Sequence, residues 1–396
     1  VNQRRHESLT SRRLEGVLVG SVREFPQPRM VDPTHANNAR RPSLDEFDRW
    51  RTDVRDAVLT HITDFIAARC ADTLGDCGVD AAGNVLLEFV NGGKCLRSTF
   101  MYLGWLCGAP PNDAAIHATG SLELIHAFAL LQDDVMDSSP ARRGRPSAHV
   151  QLATWHAQRG LSGSSRRFGE SGAVLLGDLC LIWAERVLRE SGLSAEQLER
   201  AWPRYDAMRT ELATGQFADL VLDIRKLPTL ESVLQVARMK SGNYTVRRPL
   251  EIGAAMAGCH EQTLTRLGQY GEAVGEAFQL RDDILGIFGS PSTTGKPNGG
   301  DLLERKASSV MVTAHQMADP ATREQFGELI DAEHLDETDL ERWRSLILAT
   351  GAVQRVERLI ADRVEAAHEA IDGAGIDASI RAALLDMASV CTRRVA

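Results

Sequence analysis

The chain has 396 residues, and 43% of them are hydrophobic, enough for one large domain or two to three ordinary ones with a sizeable core. Aromatics are only 5% while Ala, Leu and Arg are abundant, a mix that favours helices over sheets. The net charge of −9 and the pI near 5.7, with acid spread along the chain, argue against nucleic acid as the main partner.

Residues 1–42 hold eight arginines, four prolines and few large apolar side chains, and read as a disordered or loosely attached extension. Glu7, Glu15, Glu24 and Asp32 weaken the alternative of a transit peptide, and no apolar stretch resembles a secretory signal. From Leu44 onward the apolar residues recur at three- and four-residue spacing with charges on the other face. Such runs cover 44–70, 97–107, 114–136, 171–190, 195–225, 229–258, 261–288, 304–317, 338–371 and 377–394. They are separated by the turn-rich stretches 107–113, 138–146, 159–172 and 289–300. No alternating β pattern stands out, so residues 43–396 are expected to form a single all-α domain, a bundle with a long central core. No apolar run reaches the roughly 18–20 residues that span a bilayer. The seven cysteines (Cys70, Cys77, Cys95, Cys107, Cys180, Cys259, Cys391) are scattered and form no C-x-x-C pair. They read as reduced thiols of a cytoplasmic protein rather than a zinc site.

Chemistry concentrates in a few segments. NGGKCLRSTF sets two glycines before Lys94 with Arg97 three residues later, where a backbone can approach an anion closely. LLQDDVMDSSPARRGRP follows. On a helix Asp133 and Asp137 are i and i+4 and share a face, His126 lies two turns back on it, and Asp134 is turned about 100° away. Like charges at that spacing oppose each other, and a bound cation reverses the sign. Because SLELIHAFALLQ before them is strongly apolar, a solvated acidic face is a poor reading. Arg142 and Arg143, in a Pro/Gly loop, suit bidentate contacts to phosphate oxygens. RMKSGNYTVRRP places Lys240 and Ser241 beside a helix interruption at Gly242. FQLRDDILGIFG repeats the acidic logic with Gln279, Asp282 and Asp283, and the Gly-rich loop after it carries Lys296, Asp301 and Lys306. Pro297 after Lys296 excludes a Walker A loop, so ATP is not implied. Clustered oxygen ligands suit Mg²⁺, and Mg²⁺ usually comes with phosphates. Two acidic clusters ringed by separate basic elements fit a substrate pair with two diphosphates.

These elements resemble, in order and spacing, those of the trans-isoprenyl diphosphate synthases, over about 350 residues. GGKCLR is similar to that family's GGKRxR element and DDVMDSSPARRG to its first Asp-rich motif. GQFADL, KSGNYT, FQLRDDILG and GKPNGGDLLERK are similar to further blocks. The resemblance implies an isoprenoid synthase-type helical bundle around a central cavity, working with Mg²⁺, three ions per active site. It implies Asp133 and Asp137 as metal ligands with Asp134 supporting, and Asp282 with Asp283 holding metal from the opposite helix. Arg142, Lys240, Ser241, Gln279, Lys296 and Lys306 would line the allylic diphosphate site, and Lys94, Arg97, His126 and Arg143 would hold isopentenyl diphosphate. Ser241 replaces the more usual Thr and would shield the cation.

The departures from the pattern are Cys95 for Arg, Ser98 for Pro, Gly286 for the third Asp of the second motif, and Arg305 for Gly. Phe128 and Ala129, five and four residues before Asp133, are expected to form the floor that sets chain length. With no insertion in the first motif, they suggest a C20 product, with C15 next. A homodimer is the family's usual assembly. A terpene cyclase would carry N-D-x-x-S-x-x-x-E where this chain has RDDILGIFG, and would not need Lys94 and Arg97. A regulatory subunit of a heteromeric synthase finds support only in the softened second motif and Cys95.

Overall fold

A computed structural model describes residues 44–74, 80–289 and 299–393; the extension at 1–42 and Lys296 lie outside these. The described chain is helical almost throughout. Its first half runs α1 (Leu44–Thr73), α2 (Asp80–Val90), α3 (Leu96–Leu106), α4 (Asp113–Met136), α5 (Ala148–Gln158), α6 (Ser165–Arg189) and α7 (Ala195–Leu220). Then come α8 (Leu230–Ala237), α9 (Arg248–Met256), α10 (Glu261–Phe288), α11 (Gly300–Leu303), α12 (Ser309–Met317), α13 (Pro320–Asp331), α14 (Glu337–Thr350), α15 (Ala352–Asp372) and α16 (Ala378–Thr392).

The boundaries follow the caps. Asn112 accepts hydrogen bonds from Ala114 N and Ala115 N at 2.8 and 3.3 Å and starts α4. Ser194 and Gln197 form a capping box at α7. Helices α2, α5 and α13, of 11 or 12 residues, were not expected from periodicity. Helix α6 begins inside the stretch read as a loop, because Ser164 accepts from Arg167 N and caps it there. The single run expected over 338–371 is broken at Gly351, whose φ of 77° closes α14 and opens α15.

Helix α4 is long and apolar enough to cross a membrane, contrary to the expectation that no run is, but most of that stretch is buried inside the bundle. It packs most extensively on α6. Two apolar clusters result. One gathers α1–α7, α9, the first half of α10, the end of α15 and α16, with Trp50, Tyr102, Tyr205 and Tyr270 buried in it. The other gathers α8, the C-terminal half of α10 and α11–α15 around Ile287, Phe326 and Trp343. Helix α10 belongs to both, and its polar face is left looking into the space between them.

The interruption read at Gly242 is a π-helical segment, Arg238–Arg247, joining α8 to α9. It is pressed between two helices at backbone contact. A Cβ on Gly215 of α7 would stand 2.5 Å from Lys240 N, and one on Gly275 of α10 would stand 2.6 Å from Gly242 O. Glycine at these points lets three helices close on one spot, and that spot carries Lys240.

Candidate active site

A cavity of about 370 Å³ opens between α4, α7, the π segment and α10. On the α4 side it is lined by His126, Ala129, Leu130 and Asp133, positions i−7, i−4, i−3 and i of one helical stripe. Phe128 is not part of that lining. At i−5 it is turned about 140° from Asp133, and its ring lies 3.6 Å from where a Cβ on Gly177 of α6 would stand. The chain-length pair therefore separates: Ala129 faces the cavity and Phe128 fills the α4–α6 seam.

Asp133 is held by cations. Arg142 Nη2 donates to its Oδ2, Lys240 Nζ to its Oδ1, and Gln216 Nε2 to the same Oδ1, each at 3.2 Å. Burial alone would raise its carboxyl, but Lys240 and Arg142 outweigh that and keep it below the ordinary carboxylate range. Asp134 is fully buried and does not line the cavity. Its Oδ1 accepts from Arg142 Nε at 2.9 Å, so it orients Arg142 rather than facing the cavity space. Burial pushes its carboxyl up. Asp137 caps the end of α4 and is exposed at the rim. Partial desolvation and the neighbouring Asp133 push its carboxyl up to about 6.

The loop after α4 is a small hairpin. Ala141 pairs with Pro146 and Arg142 with Arg145, and both turn residues, Arg143 (φ 54°) and Gly144 (φ 74°), are left-handed. Two left-handed residues make the tight turn that suits strand twist. The hairpin sets the arginines differently. Arg142 lines the large cavity and also borders a second one. Arg143 is exposed, donates to Phe89 O at 3.2 Å, and helps line that second cavity, of about 280 Å³, beside Gly92.

On the facing side Lys240 Nζ also donates to Asp219 Oδ2 at 2.6 Å, and Ser241 lines the cavity next to it. Asp282 lines the cavity from α10. Asp283, though it borders the same space, is committed. Its Oδ2 accepts from Ser309 N at 2.8 Å and Ser309 Oγ at 2.6 Å, and its Oδ1 from Gln279 Nε2 at 2.8 Å. It ties α10 to the start of α12, and Gln279 is engaged with it. Lys306 borders the cavity too; Asp301 foremost, then Asp219, Asp283 and Asp133, favour its charged form.

The deep end has a different character. Arg97 lies 4.1 Å above the Tyr244 ring, and the His126 ring is 6.4 Å from it. Arg97 Nε, His126 Nδ1 and Tyr244 Oη are buried and have no hydrogen-bond partner among the described residues. Burial, with Arg97 and Arg143 adding, keeps His126 neutral well below its ordinary range. Buried polar atoms left open together suit a polar ligand, and the guanidinium favours an anionic one. Lys94 is exposed at the start of α3, outside the lining of the large cavity.

Tyr244, Asp219 and Gln216 were not singled out by the sequence, although KSGNYT and GQFADL had been matched as blocks. The departures at two positions gain a physical account. Arg305 takes a left-handed φ of 50°, which explains the frequent Gly there, and it is held by donation to Ile330 O and Ala332 O. Ser98 donates to the buried Glu123 at 2.7 Å.

Residues 81–347 match the polyprenyl synthetase family. The chain belongs to that family. It is 32% identical to a geranylgeranyl diphosphate synthase of Mycobacterium tuberculosis over 71% of this chain and 75% of that one. A geranylfarnesyl diphosphate synthase of Aeropyrum pernix is 31% identical over 70% of this chain and 82% of its own. Among solved structures, a Corynebacterium glutamicum geranylgeranyl pyrophosphate synthase complexed with isoprenyl diphosphate and magnesium superposes with a TM-score of 0.82. It is 36% identical and covers 86% of this chain and 99% of its own. This polyprenyl synthetase is thus an all-α, short-chain trans-prenyltransferase of a magnesium-dependent family.

Proposed function

We propose that this polyprenyl synthetase condenses isopentenyl diphosphate with dimethylallyl, geranyl and farnesyl diphosphates to all-trans geranylgeranyl diphosphate, C20. The observation that carries the reading is the facing of Asp133 and Asp282 across one cavity whose cations, Arg142, Lys240 and Lys306, converge on the same space. The C20 product is supported by geranylgeranyl diphosphate synthases among its relatives.

Asp133 and Asp137 from α4 and Asp282 from α10 are the carboxylates that would hold Mg²⁺, three ions in all. When bound, Mg²⁺ stabilises negative charge gathering on a departing diphosphate. The protein's own share follows from its contacts. Arg142 and Lys240 both contact Asp133 and line the cavity in which a diphosphate would bind. With Lys306 they stabilise the leaving diphosphate, so that the allylic C–O bond ionises. Ser241 offers its oxygen beside the resulting cation. Arg97, His126 and Tyr244, with their unpartnered polar atoms, hold isopentenyl diphosphate, and Lys94 and Arg143 complete that site from the exposed edge. The double bond of isopentenyl diphosphate attacks the cation, and the released diphosphate takes the proton. Ala129, Leu212, Val233 and Val236 keep water from the cation and receive the growing tail.

A homodimer is part of the same proposal. Leu175 and Ile182, seven residues apart on one face of α6, are each 63% exposed, an apolar stripe suited to a second copy. The test is purified protein with Mg²⁺, isopentenyl diphosphate and each allylic primer in turn, with the product length determined. C20 from every primer is expected. A C15 product makes it a farnesyl synthase, and turnover only with an added partner subunit makes it a regulatory chain.

A further inference from the structure

The NGGK turn between α2 and α3 is held from three sides. Gly92 takes a φ of 123°, and Cys95, at the start of α3, a left-handed φ of 47°. That conformation is disfavoured for a residue with a Cβ and persists where neighbours enforce it. On the inner side the buried Glu123 of α4 has its Oε2 3.4 Å from where a Cβ on Gly93 would stand, and accepts from Ser98 Oγ at 2.7 Å. On the hairpin side the Arg143 guanidinium lies 3.8 Å and 3.9 Å from the corresponding points on Gly92 and Gly93. The third side is α1. Val54 and Val58 are fully buried and fix the rotation of that helix. Arg55, between them, donates from Nε to Gly93 O at 2.9 Å and from Nη1 to Asp56 Oδ1 at 2.8 Å. Farther along α1, Thr63 Oγ1 donates to Asn91 Oδ1 at 3.2 Å.

Arg55 also brings charge to the point where the family commonly carries it in the turn itself. Cys95 stands there in this chain and is 2% exposed. Burial, then Glu123, push its thiol up, while Arg55 and then Arg143 oppose them, so the Arg55 guanidinium is within electrostatic reach of position 95.

We infer that Arg55 is a positioning residue for isopentenyl diphosphate, fastening the Gly93 carbonyl to α1 and supplying from that helix the cationic charge that Cys95 does not. The Gly93 peptide leads through Lys94 and Cys95 into α3, whose first turn carries Arg97. Released at Gly93, the start of α3 can shift, and Arg97 loses its place 4.1 Å above the Tyr244 ring. The Asp133, Arg142 and Lys240 cluster hangs instead on α4, the hairpin and the π segment. The effect therefore falls on one of the two substrates. The inference rests on the reading of Arg97, His126 and Tyr244 as the isopentenyl diphosphate site.

The test is steady-state kinetics of the full-length protein with Mg²⁺, each substrate varied in turn, with melting to establish that each variant is folded. Arg55→Met is expected to raise KM for isopentenyl diphosphate about tenfold, the worth of one hydrogen bond to a charged group. Both kcat and KM for farnesyl diphosphate are expected to stay within about twofold of the parent. Arg55→Lys, which keeps the charge and a donor, is expected to return KM to within about threefold of the parent. An unchanged KM for isopentenyl diphosphate in Arg55→Met overturns the inference. So does an Arg55→Lys variant no better than Arg55→Met. A joint shift of kcat and both KM values marks a merely structural role and overturns it as well. If Arg55→Met does not fold, Arg55→Gln takes its place under the same criteria. Arg97→Gln is the control. If it leaves KM for isopentenyl diphosphate unchanged, the reading of that site falls and the inference with it. If it raises KM while Arg55→Met does not, the inference alone falls.

Discussion

The α4 wall and the α10 wall of the cavity carry the same short sequence, an adjacent Asp pair, and tie it to different partners. On α4 the leading Asp133 is held ionised by Arg142 and Lys240, and its neighbour Asp134 is buried to aim Arg142. On α10 Asp282 borders the cavity, while Asp283 is spent on Ser309 and Gln279 to join α10 to α12. In both pairs the first Asp lines the cavity and the second builds the scaffold, Asp134 wholly outside the lining and Asp283 at its border, because adjacent residues on a helix point about 100° apart. The walls differ in what the scaffold Asp holds: the Arg142 guanidinium on one side, a helix junction on the other. An acidic motif is therefore not a list of equivalent ligands.

The contrast can be broken most severely at Asp133. Asp133→Asn should lower kcat by about 10³-fold, as loss of a charge that organises a diphosphate site does, with melting temperature nearly unchanged because the carboxylate is not a core contact. Removal of metal by a chelator should likewise abolish turnover, and added Mg²⁺ should restore it. On the other wall the second Asp should behave as a structural residue. Asp283→Ala leaves Ser309 N and Oγ without their acceptor in a buried setting, and should cost about 2–4 kcal/mol of stability in denaturant unfolding.

Ala129 and Phe128 sharpen the comparison on α4. Ala129→Phe places a ring in the cavity and should shorten the product, read by chromatography of the hydrolysed prenyl alcohols. Phe128→Ala should instead be felt in the α4–α6 seam, at about 3 kcal/mol of stability. A longer product from Phe128→Ala with Ala129→Phe silent would reverse the assignment of the floor.

The smallest effect lies far from either wall. His61 of α1 stacks on His117 of α4 at 4.1 Å, and burial, then His117, push its pKa down to about 4 from 6.5. The folded protein thus holds His61 neutral where the unfolded chain takes up a proton. The stability this contributes is complete above pH 6.5 and is lost as pH falls toward 4. His61→Phe should flatten that part of the melting-temperature profile by on the order of a degree or two.

Much of the helical framework was legible because long amphipathic runs announce themselves, and the acidic and basic segments because buried charge needs a reason. The helices α2, α5 and α13 were not. Phe128 and Ala129 were expected together at the floor from the family resemblance, and helical phase sets Ala129 in the cavity lining and Phe128 against α6. Tyr244 carried no signal, since one aromatic in KSGNYT looks like core until Arg97 and His126 are seen beside it.

What the sequence by itself determined was composition of matter: an all-α chain, two acidic helices, and the basic elements that would meet a diphosphate. Periodicity and charge are local properties, and they survive in one dimension. What only the tertiary structure decided was what each member of the acidic pairs is tied to, which arginine of the hairpin lines the large cavity, and what stands in front of Gly286. Those depend on helix phase and on contacts between segments far apart in the chain, such as Asp133 with Lys240 and Asp283 with Ser309. That Asp301 stands against Gly286 could be seen only once α10 and α11 were packed together.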